Sequence, residues 1–498
     1  MSARARQIMW PELFRLAEGT GYSLQQQIRE TLVAAILDGR LPPDTPIPSS
    51  RELSRQLGVA RNTVMFAYQH LVEEGFLIAR ERSGYFINPE MQLHPPGHGR
   101  EEAATTGSAC VDWRARLRVK PRQQRNIVKR SNWRQFEYPF IYGQVDPDHF
   151  PLNAWRECYR QALSVQAVSS LVRDQLDADD ELLVEQIQTR VLPRRGIWVN
   201  ADEILVTLGT QNALYLLAEL LVGARDTVGI EDPGYPDARN IFSLKTNDLR
   251  PLPVDEQGLV VDDRVSACDY VFVTPSHQSP TMVTLPIERR EELLRRAGES
   301  DYLVIEDDYE SEITFSGTPT PALKSLDHDG RVLYLGSLSK TLDPGLRMGF
   351  LVGPRELIRE ARALRRLMLR HPPANNQHAV ALFLSLGHHD ALIQRMTQEY
   401  RERWEAMGEA LARFLPEVHH PPSNGGSSYW VAGPEGLDAR ELARAAAAES
   451  IFMEAGDVTF FSDDPPLEYF RLGFSAIARD RIAPGVEKLS RLIHRLCG

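Results

Sequence analysis

From about residue 200 onward, short apolar runs alternate with stretches of helical spacing, and this alternation restricts the fold more than any other feature of the chain. EILVTLG is followed by the helical TQNALYLLAELLVG, and TVGIEDP, YVFVTP, YLVIEDD, RVLYLGS and GFLVGP continue the pattern. Strands separated by helical segments over about two hundred residues predict an α/β body, a mostly parallel sheet covered by helices on both faces. Helices are then expected to dominate from Arg355 to about Leu415, one of them long. SSYWVAG, IFMEAGD and YFRLGFSAI alternate with helical segments in a small α+β lobe at about 420–498.

The chemically richest stretch is SLSKTLDPGLRMGF, residues 337–350, between two of these apolar runs. A lysine at a strand end, walled by apolar residues, loses hydration, which makes its neutral amine easier to populate. A Schiff-base lysine needs that property. Ser337 and Arg347 flank Lys340, and the planar arginine fork suits a phosphate. Taken alone, Lys340 is an ordinary surface lysine. In its context the motif resembles the cofactor lysine of the fold-type I aminotransferases, S-x-[SA]-K with an arginine seven or eight residues on, and the resemblance implies pyridoxal 5'-phosphate (PLP) on Lys340.

At 498 residues the chain suggests about three folding units. Cys110, Cys158, Cys268 and Cys497 are widely separated without a CxxC pair, which points to neither a disulfide framework nor a metal site and fits a reducing, cytoplasmic setting. No apolar leader and no long uncharged apolar run is present, so no membrane partner is expected. The net charge of −11 argues against nucleic-acid binding by the whole. Residues 1–90, however, hold ten Arg and ten Asp plus Glu. A neutral module on an acidic body can bind DNA through a local patch.

That N-terminal module has its own pattern. SLQQQIRETLVAAILDG places Leu24, Ile28, Leu32, Ala35 and Ile36 at helical spacing, with Ser23 as N-cap and Gly39 as stop. SSRELSRQLGVARNTVMFAYQHLVEEG reads as two helices around Gly58-Val59-Ala60, and FLIARERSGYFIN as two strands joined at Gly84. Helix, helix, turn, helix and hairpin make a winged helix-turn-helix over residues 1–88. Pro48-Ser49-Ser50-Arg51, Gly58 to Val64 and Glu74-Gly75-Phe76-Leu77 closely resemble the GntR family of transcription regulators over residues 22–88. Arg61, Asn62 and Thr63 then open the recognition helix and reach base edges, Arg51 meets the phosphate backbone, and Ser83 and Gly84 form a wing tip that approaches DNA.

Residues 89–135 read as a linker: HPPGHGREEAATTGSA, then a stretch from Asp112 to Arg134 with nine Lys or Arg against one Asp. This basic half is either a solvated tether or a segment that follows the DNA backbone. From Phe136 to the end the sequence, beginning FIYGQVDPDHFPLNAWRECYRQAL, resembles the MocR subgroup, which joins a GntR-type reader to an aminotransferase-like PLP-binding effector domain (136–498).

The resemblance implies that Lys340 is the Schiff base, Asp307 meets the pyridine nitrogen and Tyr309 the phenolic oxygen. It places Tyr235 over the ring, with Thr210, Gln211, Ser337 and Arg347 on the phosphate. Arg471 takes a ligand carboxylate, and His277 contributes nearby. One departure stands out: where the subgroup resembles TPSHQ-[YF]-PTG, this chain has TPSHQSPTM, with Ser279 and Met282. Ser279 falls where aminotransferases place an Asn on the phenolic oxygen, which suggests an altered ligand pocket. The expected function is a PLP-dependent homodimeric regulator, not an enzyme. It binds promoter DNA with repeated half-sites and senses a small amino compound by external aldimine formation, controlling amino-acid, amine or compatible-solute catabolism. The alternative is an active aminotransferase carrying a DNA-binding tether.

Overall fold

The computed structural model describes residues 10–14, 23–90, 111–146, 149–164, 177–315, 320–338, 342 and 344–497. Lys340, with its neighbours Ser339 and Thr341, lies outside the described residues. The chain divides into two units, Met1–Arg116 and Leu117–Gly498.

The first unit is built from strong local signals. In helix α1 (Leu24–Leu37) the Ser23 side chain accepts the Gln26 N–H, and Ile28, Leu32, Ala35 and Ile36 form the buried stripe. Helix α2 (Ser50–Leu57) is capped by Ser49 and stops at Gly58, whose φ of 67° is the left-handed conformation that favours glycine. Helix α3 (Arg61–Glu73) buries Val64, Ala67, Tyr68 and Leu71. The Tyr68 hydroxyl donates to the Pro48 carbonyl at 2.9 Å, tying α3 to the turn before α2. Strands β1 (Leu77–Arg80) and β2 (Gly84–Ile87) pair antiparallel as the wing. Every element expected for this unit is present.

In the second unit, eight strands form one sheet: β3 (Ile204–Thr207), β4 (Val228–Asp232), β5 (Leu249–Asp255), β6 (Gly258–Leu259), β7 (Tyr270–Val273), β8 (Leu303–Asp308), β9 (Val332–Ser337) and β10 (Gly349–Val352). Their order is β3-β10-β9-β8-β7-β4-β5-β6. The central run β9-β8-β7-β4-β5 is parallel, and β10 is antiparallel to both neighbours. Successive residues face opposite sides. Phe272 and Ile305 join a core with helix α4 (Thr210–Leu221), while Val271, Val273 and Val304 join one with helix α5 (Ile287–Ser300). Burial on both faces explains why these strands read as unbroken apolar runs.

Toward the C-terminus, the long helix α6 (His388–Phe414) packs on α7 (Arg479–Cys497) beside an antiparallel sheet. That sheet has the order β11 (Ser428–Ala432), β13 (Tyr469–Gly473), β12 (Glu454–Ala455).

The linker expectation needs correction at its downstream end. The side chain of Gln124 donates to the Asn240 carbonyl (3.0 Å), Arg125 to the carbonyls of Phe460, Phe461 and Ser462 (2.7–2.9 Å), and Lys129 to the Tyr142 carbonyl (2.6 Å). Residues 124–129 are therefore a strap on the large unit rather than a free tether. Carbonyl groups far along the chain, invisible to local composition, hold its basic side chains.

Candidate functional site

In a parallel sheet the carboxyl ends of adjacent strands open on one edge, so turns distant in sequence converge there. Here those turns follow β3, β4, β7, β8 and β9. A cavity partly open to solvent is lined by Ile127, Tyr142, Thr210, Tyr235, Thr274, Ser279, Asp307, Tyr309 and Arg471. Five of these residues, Thr210, Tyr235, Asp307, Tyr309 and Arg471, are expected from sequence. Ser279, the departure noted above, is also on the wall.

One end of the site is shaped for an anion. Helix α4 begins at Thr210 after Gly209, and among the described residues no side chain caps its start, which leaves backbone N–H groups and the positive end of the helix dipole available. A β-carbon on Gly209 would lie 2.8 Å from Nη2 of Arg347, so glycine is what admits the guanidinium to the helix start. Gly209 also has φ of 78°, and Arg347 itself has φ of 52°. Such backbone strain in a non-glycine residue persists where surrounding structure imposes it. The Gln211 side chain turns away to Asp237 (3.0 Å), so Gln211 offers this end its backbone rather than its amide side chain. The Tyr235 hydroxyl donates to the same Asp237 carboxylate at 3.1 Å.

Deeper in, Asp307 and Asp308 are consecutive, and the pleat sends them to opposite faces of β8. Asp307 lines the cavity. Asp308 accepts from Arg195 Nε and from the Tyr334 hydroxyl, both at 2.8 Å, away from it. Arg195 and these hydrogen bonds outweigh burial and hold the Asp308 carboxyl below its ordinary value. Burial first, and acidic neighbours second, push the hydroxyls of Tyr142, Tyr235 and Tyr309 well above the usual tyrosine range, so all three are neutral hydrogen-bonding groups. Ser337 ends β9 and borders a neighbouring space that shares Tyr309 with the cavity.

Arg471 is 3% exposed. Its Nε donates to Oε2 of Glu454 at 2.9 Å, its Nη2 lies 2.8 Å from the same oxygen, and its guanidinium lies 3.9 Å from the centre of the Tyr142 ring. Burial opposes its charge, but Glu454 more than compensates and holds its pKa above the ordinary value.

His277 is not brought to the cavity wall. It is buried against Gly425, and loss of hydration lowers its pKa. The chain leaves β7 through Thr274, buries His277 and returns to the wall at Ser279. Met282, the other departure noted above, is buried with φ of 64°, and its sulfur fills space beside Gly426.

Sequence reading missed Ile127, Tyr142, Thr274 and Glu454. Only Thr274, directly after a strand in YVFVTP, carried a local signal.

On the first unit, Arg61 and Asn62 are exposed at the start of α3 and Thr63 is half-buried. Ala60 supplies no side-chain cap there. Arg51 is exposed at the start of α2, as are Ser83 and Gly84 at the wing tip. Arg51 and Arg61 have no ion-pair partner among the described residues, whereas Arg29, Arg55 and Arg80 are paired with Glu74, Glu52 and Asp44.

Comparison with known proteins agrees with both halves. Residues 24–87 match bacterial regulatory proteins of the gntR family, and residues 146–489 match aminotransferase class I and II. The HTH-type transcriptional regulator TauR of Rhodobacter capsulatus is 40% identical over 97% of this chain and 99% of its own length. The probable rhizopine catabolism regulatory protein MocR of Rhizobium meliloti is 31% identical over 94% of this chain and 93% of its own. Among solved structures, the α-aminoadipate aminotransferase LysN of Thermus thermophilus, complexed with N-(5'-phosphopyridoxyl)-L-leucine, aligns with a TM-score of 0.69 at 27% identity. It covers 78% of this chain and 99% of its own. The chain belongs to the GntR family of bacterial transcription regulators, in the MocR subgroup whose winged helix-turn-helix is fused to a fold-type I aminotransferase domain.

Proposed function

We propose that this regulator binds promoter DNA through α3 and the wing and senses a small amino compound in the cavity at the sheet edge, with PLP carried on Lys340. The observation that carries the reading is the convergence of an anion cradle, a buried carboxylate, neutral tyrosines and one buried arginine on a single cavity.

The donor set fits that cofactor. Thr210, the backbone at the start of α4 and Arg347 would hold its phosphate, with Ser337 close by at the end of β9. Asp307 would hold a proton on the pyridine nitrogen. Tyr309 would donate to the phenolic oxygen, and Tyr235 would cover a ring face. When bound, PLP supplies an aldehyde carbon open to covalent attack by amines, with the ring as electron sink. Arg471 orients an effector by its anion, and Ile127 and Tyr142 shield the cavity from water.

The strap that carries Ile127 leads back along the chain toward the DNA-binding unit. An effector that alters packing at Ile127 thereby biases the connection between the two functions, which regulation requires. A dimer, the subgroup's usual assembly, would read two half-sites at fixed spacing.

Two experiments test this reading. Borohydride reduction of PLP-treated protein, followed by peptide mass spectrometry, is expected to mark Lys340. Lys340→Ala is expected to abolish both the mark and the effector response while leaving basal DNA binding. Unmodified wild-type protein would reject the cofactor assignment. Separately, Arg61→Ala is expected to weaken binding to a selected operator by about 1–3 kcal/mol if the side chain reads a base. Fluorescence anisotropy against scrambled DNA separates that loss from general weakening.

A further inference from the structure

Arg471 is the only cationic side chain lining the cavity among the described residues, and it does not stand free. Glu454 sits directly opposite it in the β12–β13 register, and both Nε and Nη2 converge on Glu454 Oε2. The side-on edge of the guanidinium is thus occupied, with Tyr142 covering one face. The end-on edge keeps Nη1, for which no partner exists among the described residues. Both side chains are at least nine-tenths buried, and Glu454 Oε1 is itself buried with no hydrogen-bond partner among the described residues.

We propose that Glu454 is a positioning residue that sets both the edge and the charge with which Arg471 meets an effector, and so governs selection among amino compounds. Resting on the reading of Arg471 as the effector's anion contact, the inference has two consequences. An anion docks only on the Nη1–Nη2 edge, because Glu454 holds the other. It also docks against a standing negative charge, because two anions then share one guanidinium in a water-poor setting. Repulsion between unit charges a few ångströms apart across a partly buried site weakens affinity on the order of tenfold or more. The site therefore does not select strongly for acidic amino compounds; it holds amines with and without an anion within a narrow range of affinity.

Glu454→Gln keeps an acceptor oxygen and the side-chain shape while removing the charge, and Glu454→Ala removes both. The probes are β-alanine and ethylamine, which differ by one carboxylate, titrated by calorimetry into the cofactor-loaded full-length protein. The expected result is a rise of about tenfold or more in the β-alanine to ethylamine affinity ratio in Glu454→Gln, driven by β-alanine. Glu454→Asp, which keeps the charge, stays within about twofold of wild type. Glu454→Ala provides the same charge test if the Gln variant does not fold. An unchanged or lowered ratio in a folded charge-free variant overturns the proposal. Arg471→Gln separates the two layers. If it collapses the ratio to near one while Glu454→Gln changes nothing, only the role of Glu454 fails; if it leaves the ratio unchanged, the underlying reading of Arg471 fails with it.

Discussion

Replacing Asp308 with alanine is expected to cost about 3–5 kcal/mol of folding stability, whereas the same change at its neighbour Asp307 spares the fold and weakens cofactor binding. Asp308 is the anchor of a buried network. Its Oδ2 accepts from Arg195 Nε and the Tyr334 hydroxyl, and Arg195 continues to the Ser276 hydroxyl and the Thr320 carbonyl. The Asp308 side chain is fully buried and that of Arg195 nearly so. Without the carboxylate, a guanidinium with almost no access to water is left uncompensated. Asp307, one residue earlier, faces the cavity and bears none of that network. Urea denaturation of the two variants, paired with PLP titration, checks the contrast. Equal losses of stability would mean that the two carboxylates are not divided between structure and site.

The strand-end pattern YLVIEDDYESE does not by itself separate the two aspartates that stand side by side there; only the family resemblance singled out Asp307. Side-chain parity decides between them, and parity is fixed only when the register of β8 against β7 and β9 is known. The winged helix-turn-helix, by contrast, could be read from sequence because its caps, its glycine stop at Gly58 and its apolar stripes are all local. The turns at Gly209, Asp307 and Ser337 were legible for the same reason, each directly following an apolar run. Glu454 was not. IFMEAGD reads only as a strand and a turn, and nothing in it indicates that Glu454 would lie opposite a residue 17 positions later. The strap residues misled in another way. Arg125 and Lys129 sit in a basic, polar stretch, yet their partners are carbonyls 335–337 and 13 residues away. His277 misled through proximity, since a residue two positions before the cavity wall need not face it.

The second large effect is in the pH dependence of stability. Glu231 on β4 is 2% exposed and accepts from the Thr274 N–H, the Thr274 hydroxyl and the Gln278 amide, all on one oxygen. Burial outweighs these bonds and raises its pKa from 4.5 to about 7. The folded protein therefore holds a proton between about pH 4.5 and 7 that the unfolded chain has released. Stability falls wherever the folded state binds the extra proton as pH rises, so this penalty is absent below about 4.5, grows through the window and is complete above about 7. The gap between the two values amounts to roughly 3 kcal/mol. Glu306, buried on β8, is shifted in the same direction by burial and by Asp308. His277, held neutral by burial, works in reverse and destabilises the fold as pH drops. Wild-type melting curves thus mix opposing trends, and the difference between wild type and Glu231→Gln isolates one of them. The glutamine cannot ionise but retains an oxygen for Thr274. Its advantage over wild type is expected to grow by roughly 3 kcal/mol from pH 4.5 to pH 8. Urea denaturation at both pH values measures it, and an advantage that does not change with pH would show that Glu231 is ionised throughout.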